Sequence, residues 1–108
     1  MSTNKNVNTI KIINIEPSNV ESKRFKVTLN NGKTFNFGLE GGSTFIDHHD
    51  KKTRANYRAR HYATEQDFID NLEPSPALFS YMLLWGPSTS LDKNVKSLNK
   101  LFKTHNIH

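Results

Sequence analysis

Between Asp47 and His61 the chain concentrates side chains able to do chemistry: Asp47-His48-His49-Asp50-Lys51-Lys52, then Arg54, Tyr57, Arg58, Arg60 and His61. Imidazole beside carboxylate is a donor set for a divalent cation. A small metal-dependent nuclease would use Asp47, His48, Asp50 and His61 in that way. Helical spacing argues against joining them. A straight helix starting near Asp50 puts His61 eleven residues on. That is roughly 16 Å at 1.5 Å per residue, whereas the ligands of one ion must converge. The two aspartates read more simply as helix caps, so neither a metal nor another cofactor is expected. No HExxH, Ser-His-Asp order or phosphate-cradling glycine loop occurs. The reading is therefore a non-enzymatic protein without a small-molecule substrate.

The same segment suits contact with anions. On a helix, Arg54, Tyr57, Arg58 and His61 recur at i, i+3, i+4 and i+7. Guanidinium forks and a phenol ring match phosphate with some stacking. Lys51 and Lys52 lead into this stripe. The competing reading is a solvated face whose arginines pair with Asp47, Asp50 or the acidic stretch Glu65–Glu73. Ala55, Ala59 and Tyr62 form a narrow stripe beside it, and small residues there would let the helix sit close to a sheet. Arg60 points away from the basic stripe. It is expected to be structural, bonding to the hairpin of the sheet or to the Asp47–Asp50 turn. A second basic face lies near the C-terminal end, where Lys93, Lys96, Lys100 and Lys103 oppose Leu91, Val95, Leu98, Leu101 and Phe102 on one amphipathic helix. Lys93, Lys96 and Lys100 join the candidate anion contacts. The apolar side of that helix reads as core, since no aromatic wedge flanks it as in membrane-surface helices.

These residues need elements to hold them. Met1–Thr9 reads as a flexible polar tail and residues 10–108 as one domain. Ile10–Glu16 reads as a strand, with Ile10, Ile12, Ile13 and Ile15 mostly buried. Phe25, Val27 and Leu29 alternate with polar residues, as do Phe35 and Phe37, and Asn30-Asn31-Gly32 lies between. A two-residue loop would set Val27 opposite Asn36. A three-residue loop sets Val27 opposite Phe35 and Phe25 opposite Phe37, which alone gives one apolar face. Gly32 then takes the left-handed position of a bulged turn. Gly38–Ser43 is expected to be a loop and Ser43–Asp47 a short fourth strand. Helices follow: Lys51–Tyr62 capped by Asp47 or Asp50; a short one from Thr64 to Leu72; one with Pro76 at its first position, ended by Gly86-Pro87; and a last one capped by Ser90 and running to about Lys103. The Pro76–Trp85 helix is apolar almost all round, so Trp85 is expected in the core. Strands followed by helices predict an α+β domain: an antiparallel hairpin or three-stranded sheet, then three to four helices.

Bulk properties agree with a small binding domain. The chain has 108 residues and a net charge of +5, with a pI near 9.6. That charge favours acidic proteins, nucleic acid or anionic lipid as partners. Absence of cysteine excludes disulfides and thiolate chemistry and fits a reducing compartment. The polar start carries no secretory signal, and the longest apolar run, Met82–Trp85, is far too short to span a bilayer.

Lys33 to Gly38 leading into the glycine turn, Asp50-Lys51-Lys52-x-Arg54-x-x-Tyr57-x-x-Arg60-His61, Leu83-Leu84-Trp85-Gly86 and Ser90-Leu91 together resemble a small, largely uncharacterised family of nucleocytoplasmic large DNA viruses, mimivirus-like and chlorella-virus-like. The likeness spans roughly Lys33–Phe102 and departs at Pro74-Ser75-Pro76-Ala77, where a Gly-aromatic pair is expected. It implies a virion or a virus factory in the host cytoplasm, and no secretion. The function expected is a structural or packaging component that meets viral structural proteins or DNA, with self-association left open. The alternative is a sequence-nonspecific nucleic-acid-binding protein. The metal-dependent nuclease is the third reading.

Overall fold

A computed structural model of the chain describes residues 9–105, so all of the polar tail but Thr9 lies outside the described residues. The architecture is α+β. Strands β1 (Ile12–Pro17), β2 (Lys23–Leu29) and β3 (Thr34–Leu39) form an antiparallel sheet in the order β1-β2-β3. Four helices follow: α1 (Phe45–His48), α2 (Lys51–Asp70), α3 (Pro76–Phe79), which runs on as a π-helical turn over Ser80–Leu84, and α4 (Leu91–His105).

The β2–β3 hairpin adopts the register that the alternation of phenylalanines requires. Val27 faces Phe35 and Phe25 faces Phe37. The loop is Asn30–Gly32, closed by Leu29 N–H to Lys33 O at 2.9 Å and Gly32 N–H to Leu29 O at 3.0 Å. Gly32 has φ +89°, a conformation in which a Cβ would be strained. One face of the sheet packs on α3 and the π-turn, with Phe79 touching both Phe35 and Phe37 at ring separations of 5.5 and 5.9 Å. Leu98 and Phe102 of α4 complete the core with Val27, Leu29, Leu83 and Leu84.

Several local expectations are corrected. β1 starts at Ile12, and its pairing skips from Ile12 opposite Leu29 to Asn14 opposite Thr28. Ile13 is the extra residue of this bulge and turns to solvent at 59% exposure. A run of isoleucines hides such a shift, because alternation is not visible within it. The Asn99 side chain fills the gap: its Oδ1 accepts from Ile12 N–H at 2.7 Å and its Nδ2 donates to Ile12 O at 3.1 Å.

β3 continues through Gly38 and Leu39, so the connecting loop starts later than the glycines suggest. The expected fourth strand is instead helix α1. Asp47 decides this, because its Oδ2 accepts from both the N–H and the hydroxyl of Thr44 at 2.8 Å, which closes a helical turn. The two expected helices over Lys51–Tyr62 and Thr64–Leu72 are one helix, α2, kinked at Glu65 (φ −125°, ψ 22°). Thr64 does not cap: its hydroxyl donates back to His61 O at 3.2 Å. Beyond the kink the helix closes with Glu73 N–H to Phe68 O and Leu72 N–H to Ile69 O, while Leu72 takes φ +49°. Ser90 caps α4 as expected, accepting from Lys93 N–H, and Ser75, just before Pro76, caps α3 by accepting from Leu78 N–H.

Arg24 of β2 grips Asp47 in a two-pronged ion pair, at 2.8 and 2.7 Å. The Arg24 guanidinium is the main cause that holds the Asp47 carboxyl well below the usual carboxylate range, with the Thr44 bonds adding to it against the opposing effect of burial. A depressed native pKa contributes stability above the unfolded value, about 4 for aspartate, and loses it as pH falls further. Urea midpoints of the wild type and Asp47→Asn should therefore differ most at neutral pH. The gap should narrow below about pH 4. A gap independent of pH would contradict this role.

Candidate functional site

Helix α2 begins at Asp50, whose Oδ1 accepts from Lys52 N–H at 3.0 Å and Thr53 N–H at 3.3 Å. These bonds, Thr53 first, lower the Asp50 pKa. The helix is only weakly amphipathic in the apolar sense, and its docking face is not the alanine stripe. Ala55, Ala59 and Tyr62 are exposed. The face turned inward carries Arg54, Tyr57, Arg58 and His61, because what α2 meets is polar backbone rather than the apolar side of the sheet.

That backbone is the C-terminal end of the π-turn, where carbonyls run out of intrahelical partners. Arg54 Nε donates to Gly86 O at 2.6 Å. Arg58 donates to Trp85 O at 2.7 Å and to Tyr81 O at 3.2 Å, and its guanidinium carbon stands 4.0 Å over the Tyr81 ring. Two cations thus cap one helix end, an arrangement also favoured by the helix dipole. Beside them is an aromatic column. Tyr57 stacks on Trp85 at 4.2 Å and 8°, and His61 stacks on Tyr57 at 4.0 Å. His61 Nδ1 is 3.5 Å from Glu65 at the kink. Burial pushes the Tyr57 phenol up to about 12, with the Glu65 charge adding to it. Burial also lowers the pKa of Arg58.

The expected anion stripe is therefore largely an internal clamp, and Arg54, Tyr57 and Arg58 have protein partners. Arg60 is exposed on another side, and it is Arg24 that bonds to the Asp47–Asp50 turn, through Asp47. Trp85 is buried, as its apolar helix implies. His48 accepts from Asp50 N–H through Nδ1 at 2.9 Å, and its buried Nε2 has no hydrogen-bond partner among the described residues. The ring centroids of His48 and Trp85 are 5.4 Å apart. Among the described residues, no three His, Asp or Glu side chains come together as ligands of one ion.

Asn94 and Gly86 join α4 to this end of the molecule. Asn94 is fully buried. Its Nδ2 donates to Leu83 O at 2.9 Å and Ser88 O at 2.8 Å, and its Oδ1 accepts from Ser88 N–H at 2.9 Å. A Cβ on Gly86 would collide with the Met82 carbonyl and lie 2.9 Å from Asn94 Cγ, so close approach requires glycine here. A polar residue between Leu91 and Leu98 on the apolar face was the available signal for Asn94. Nothing in the local sequence points to Gly86 as the meeting point of Arg54 and Asn94.

A family model described as a family of unknown function (DUF5754) matches residues 13–61, just under half of the chain. No curated protein and no solved structure matches the chain. The matched span holds the sheet from Ile13 on, the Arg24–Asp47 lock and the first part of α2, and it stops before the carbonyls that Arg54 and Arg58 bind.

The lysines behave differently from the arginines. Lys51 and Lys52 are exposed at the start of α2, and Lys93, Lys96, Lys100 and Lys103 are exposed along α4. Lys96 lies 3.4 Å from Asp92, an exposed pair of little energetic weight. Lys100 and Lys103 meet Lys11 around a recess of about 460 Å³ that Ile10, Asn30 and Asn99 also line. The amides of Asn30 and Asn99 are already bonded to backbone, and Lys11, Lys100 and Lys103 are the charged residues of the lining. No helix among the described residues is long and apolar enough to cross a membrane.

Proposed function

We propose that this chain is a non-enzymatic binding protein that meets acidic protein or DNA through its lysine faces, in the setting of a large DNA virus particle. The observation that carries the binding reading is the convergence of Lys11, Lys100 and Lys103, from two distant segments, on one recess beside the α4 lysine row. The inward use of Arg54, Tyr57 and Arg58 supports a structural role for the stripe that sequence spacing offers for anion contact. The viral setting rests on the resemblance of the segment Lys33–Phe102.

The test is a salt series. Binding of a short DNA duplex should fall steeply with salt, because bound lysines release counterions. Lys100→Gln/Lys103→Gln should flatten the log–log slope by about 2, while Arg60→Gln leaves it unchanged. Polyglutamate in place of DNA tells an acidic protein from nucleic acid. Binding of either probe that ignores both salt and the lysine pair would overturn the proposal.

A further inference from the structure

The sheet has two outer strands, and they are treated unequally. β1 carries the bulge at Ile13, ends in Pro17 and has its Ile12 backbone groups taken by Asn99. These are the devices by which proteins protect a sheet edge. β3 has none of them from Thr34 to Phe37: its sequence there is Thr-Phe-Asn-Phe, without charge or proline. The hairpin closure at Leu29–Lys33, continued by the register, turns the backbone groups of Phe35 and Phe37 towards β2. Those of Thr34 and Asn36 then point outward and are bonded to no described residue.

The same strand leads into a groove. Gly38 and Leu39 form one wall and Tyr57, His61 and Phe68 of α2 the other, around a volume of about 540 Å³. Leu39 is 69% exposed and Phe68 40% exposed, so two large apolar side chains stand at this groove largely uncovered by the described residues. Gly38 at φ +81° bends the strand there.

The geometry points to strand addition: an extended segment of a partner protein pairs with the β3 edge at Thr34 and Asn36 and seats a large apolar side chain in the groove between Leu39 and Phe68. Charge and area choose this occupant over a second copy of the chain. Exposed Lys33 stands at the Thr34 end of the uncharged strand, while Lys23 is offset by Glu40 and Glu65 at the Leu39 end, so the segment carries an acidic residue at the end that meets Lys33. Two copies with a net charge of +5 each repel. A strand of six residues is about 20 Å long. Pairing along it covers far less than the roughly 800 Å² per partner of a stable interface. This surface is separate from the α4 lysine row, so it stands or falls independently of the function proposed above.

The test is selection of a displayed library of random short peptides on the full chain, followed by affinity measurement on variants. Selected peptides should alternate apolar residues and carry an acidic residue at the end that meets Lys33. Their addition should slow hydrogen exchange at the Thr34 and Asn36 amides. Asn36→Pro removes an outward N–H without touching the β2 pairing and should weaken binding about tenfold or more. Leu39→Lys, at an exposed position, should do the same and serves if Asn36→Pro fails to fold. Lys100→Gln/Lys103→Gln should leave peptide binding unchanged. The inference is overturned if no peptide is enriched, if enriched peptides bind both edge variants as well as wild type, or if the chain sediments as a dimer that Asn36→Pro splits.

Discussion

Asn94→Asp is expected to destabilise the fold by about 3–5 kcal/mol, seen as a large drop in the urea midpoint at neutral pH. The substitution keeps the shape of the side chain and changes only its hydrogen-bonding sense. Asn94 donates two hydrogen bonds through Nδ2, to Leu83 O and Ser88 O, from a position with no solvent exposure. A carboxylate there would face two carbonyl oxygens and would be buried without a cation. The bond from Ser88 N–H to Oδ1 would survive, so the loss comes from the two acceptors left unmet and from the buried charge. Asn94→Ala removes the same bonds without adding charge, and its cost should be smaller, about 2–3 kcal/mol. Equal stability of Asn94→Asp and wild type would mean that the amide network does not hold α4 against the π-turn.

Arg58→Ala is expected to cost about 2–4 kcal/mol of stability and to leave the salt-dependent binding of anions nearly unchanged. Arg58 is half-buried, and its bonds run to Tyr81 O and Trp85 O at the end of the π-turn. Its removal strips two carbonyls of their donor, takes a cation from the Tyr81 ring and loosens the packing under Trp85. Two readouts separate the clamp from a binding role. A lower thermal midpoint with an unchanged salt slope supports the clamp; an unchanged midpoint with a flatter slope would return Arg58 to the binding surface. Arg58→Lys should recover only part of the stability, since one ammonium cannot reproduce the planar fork that both bonds and stacks.

The contrast between Arg58 and the hairpin shows where a sequence can be read and where it cannot. Phe25, Val27, Phe35 and Phe37 admit a single loop length because side-chain direction in a strand has period two. One wrong step would bury Asn36 and expose Phe35. The caps at Asp50, Ser75 and Ser90 were likewise legible, since each acts on N–H groups two or three residues away. The bulge at Ile13 was not, because four isoleucines in six positions leave the alternation unmarked. The division of α2 failed for a related reason: a threonine before acidic residues looks the same whether it caps a new helix or bonds back to His61 inside a kinked one.

By itself, then, the sequence determined the α+β order, the hairpin register, the starts of the main helices, the burial of Trp85 and the lysine face of α4. All of these follow from periodicity or from contacts within a turn. Only the tertiary structure decided which way the Arg54–His61 stripe faces. Arginine and tyrosine satisfy their donors equally well in water or on carbonyl groups, and the carbonyls in question lie 32 residues from Arg54 and 27 from Arg58. The pattern of α2 could not reveal that a π-turn ending at Trp85 and Gly86 would present those acceptors to it. The chemistry-bearing segment thus became the clamp that holds the helices together, and the surfaces left open are the α4 lysines and the β3 edge.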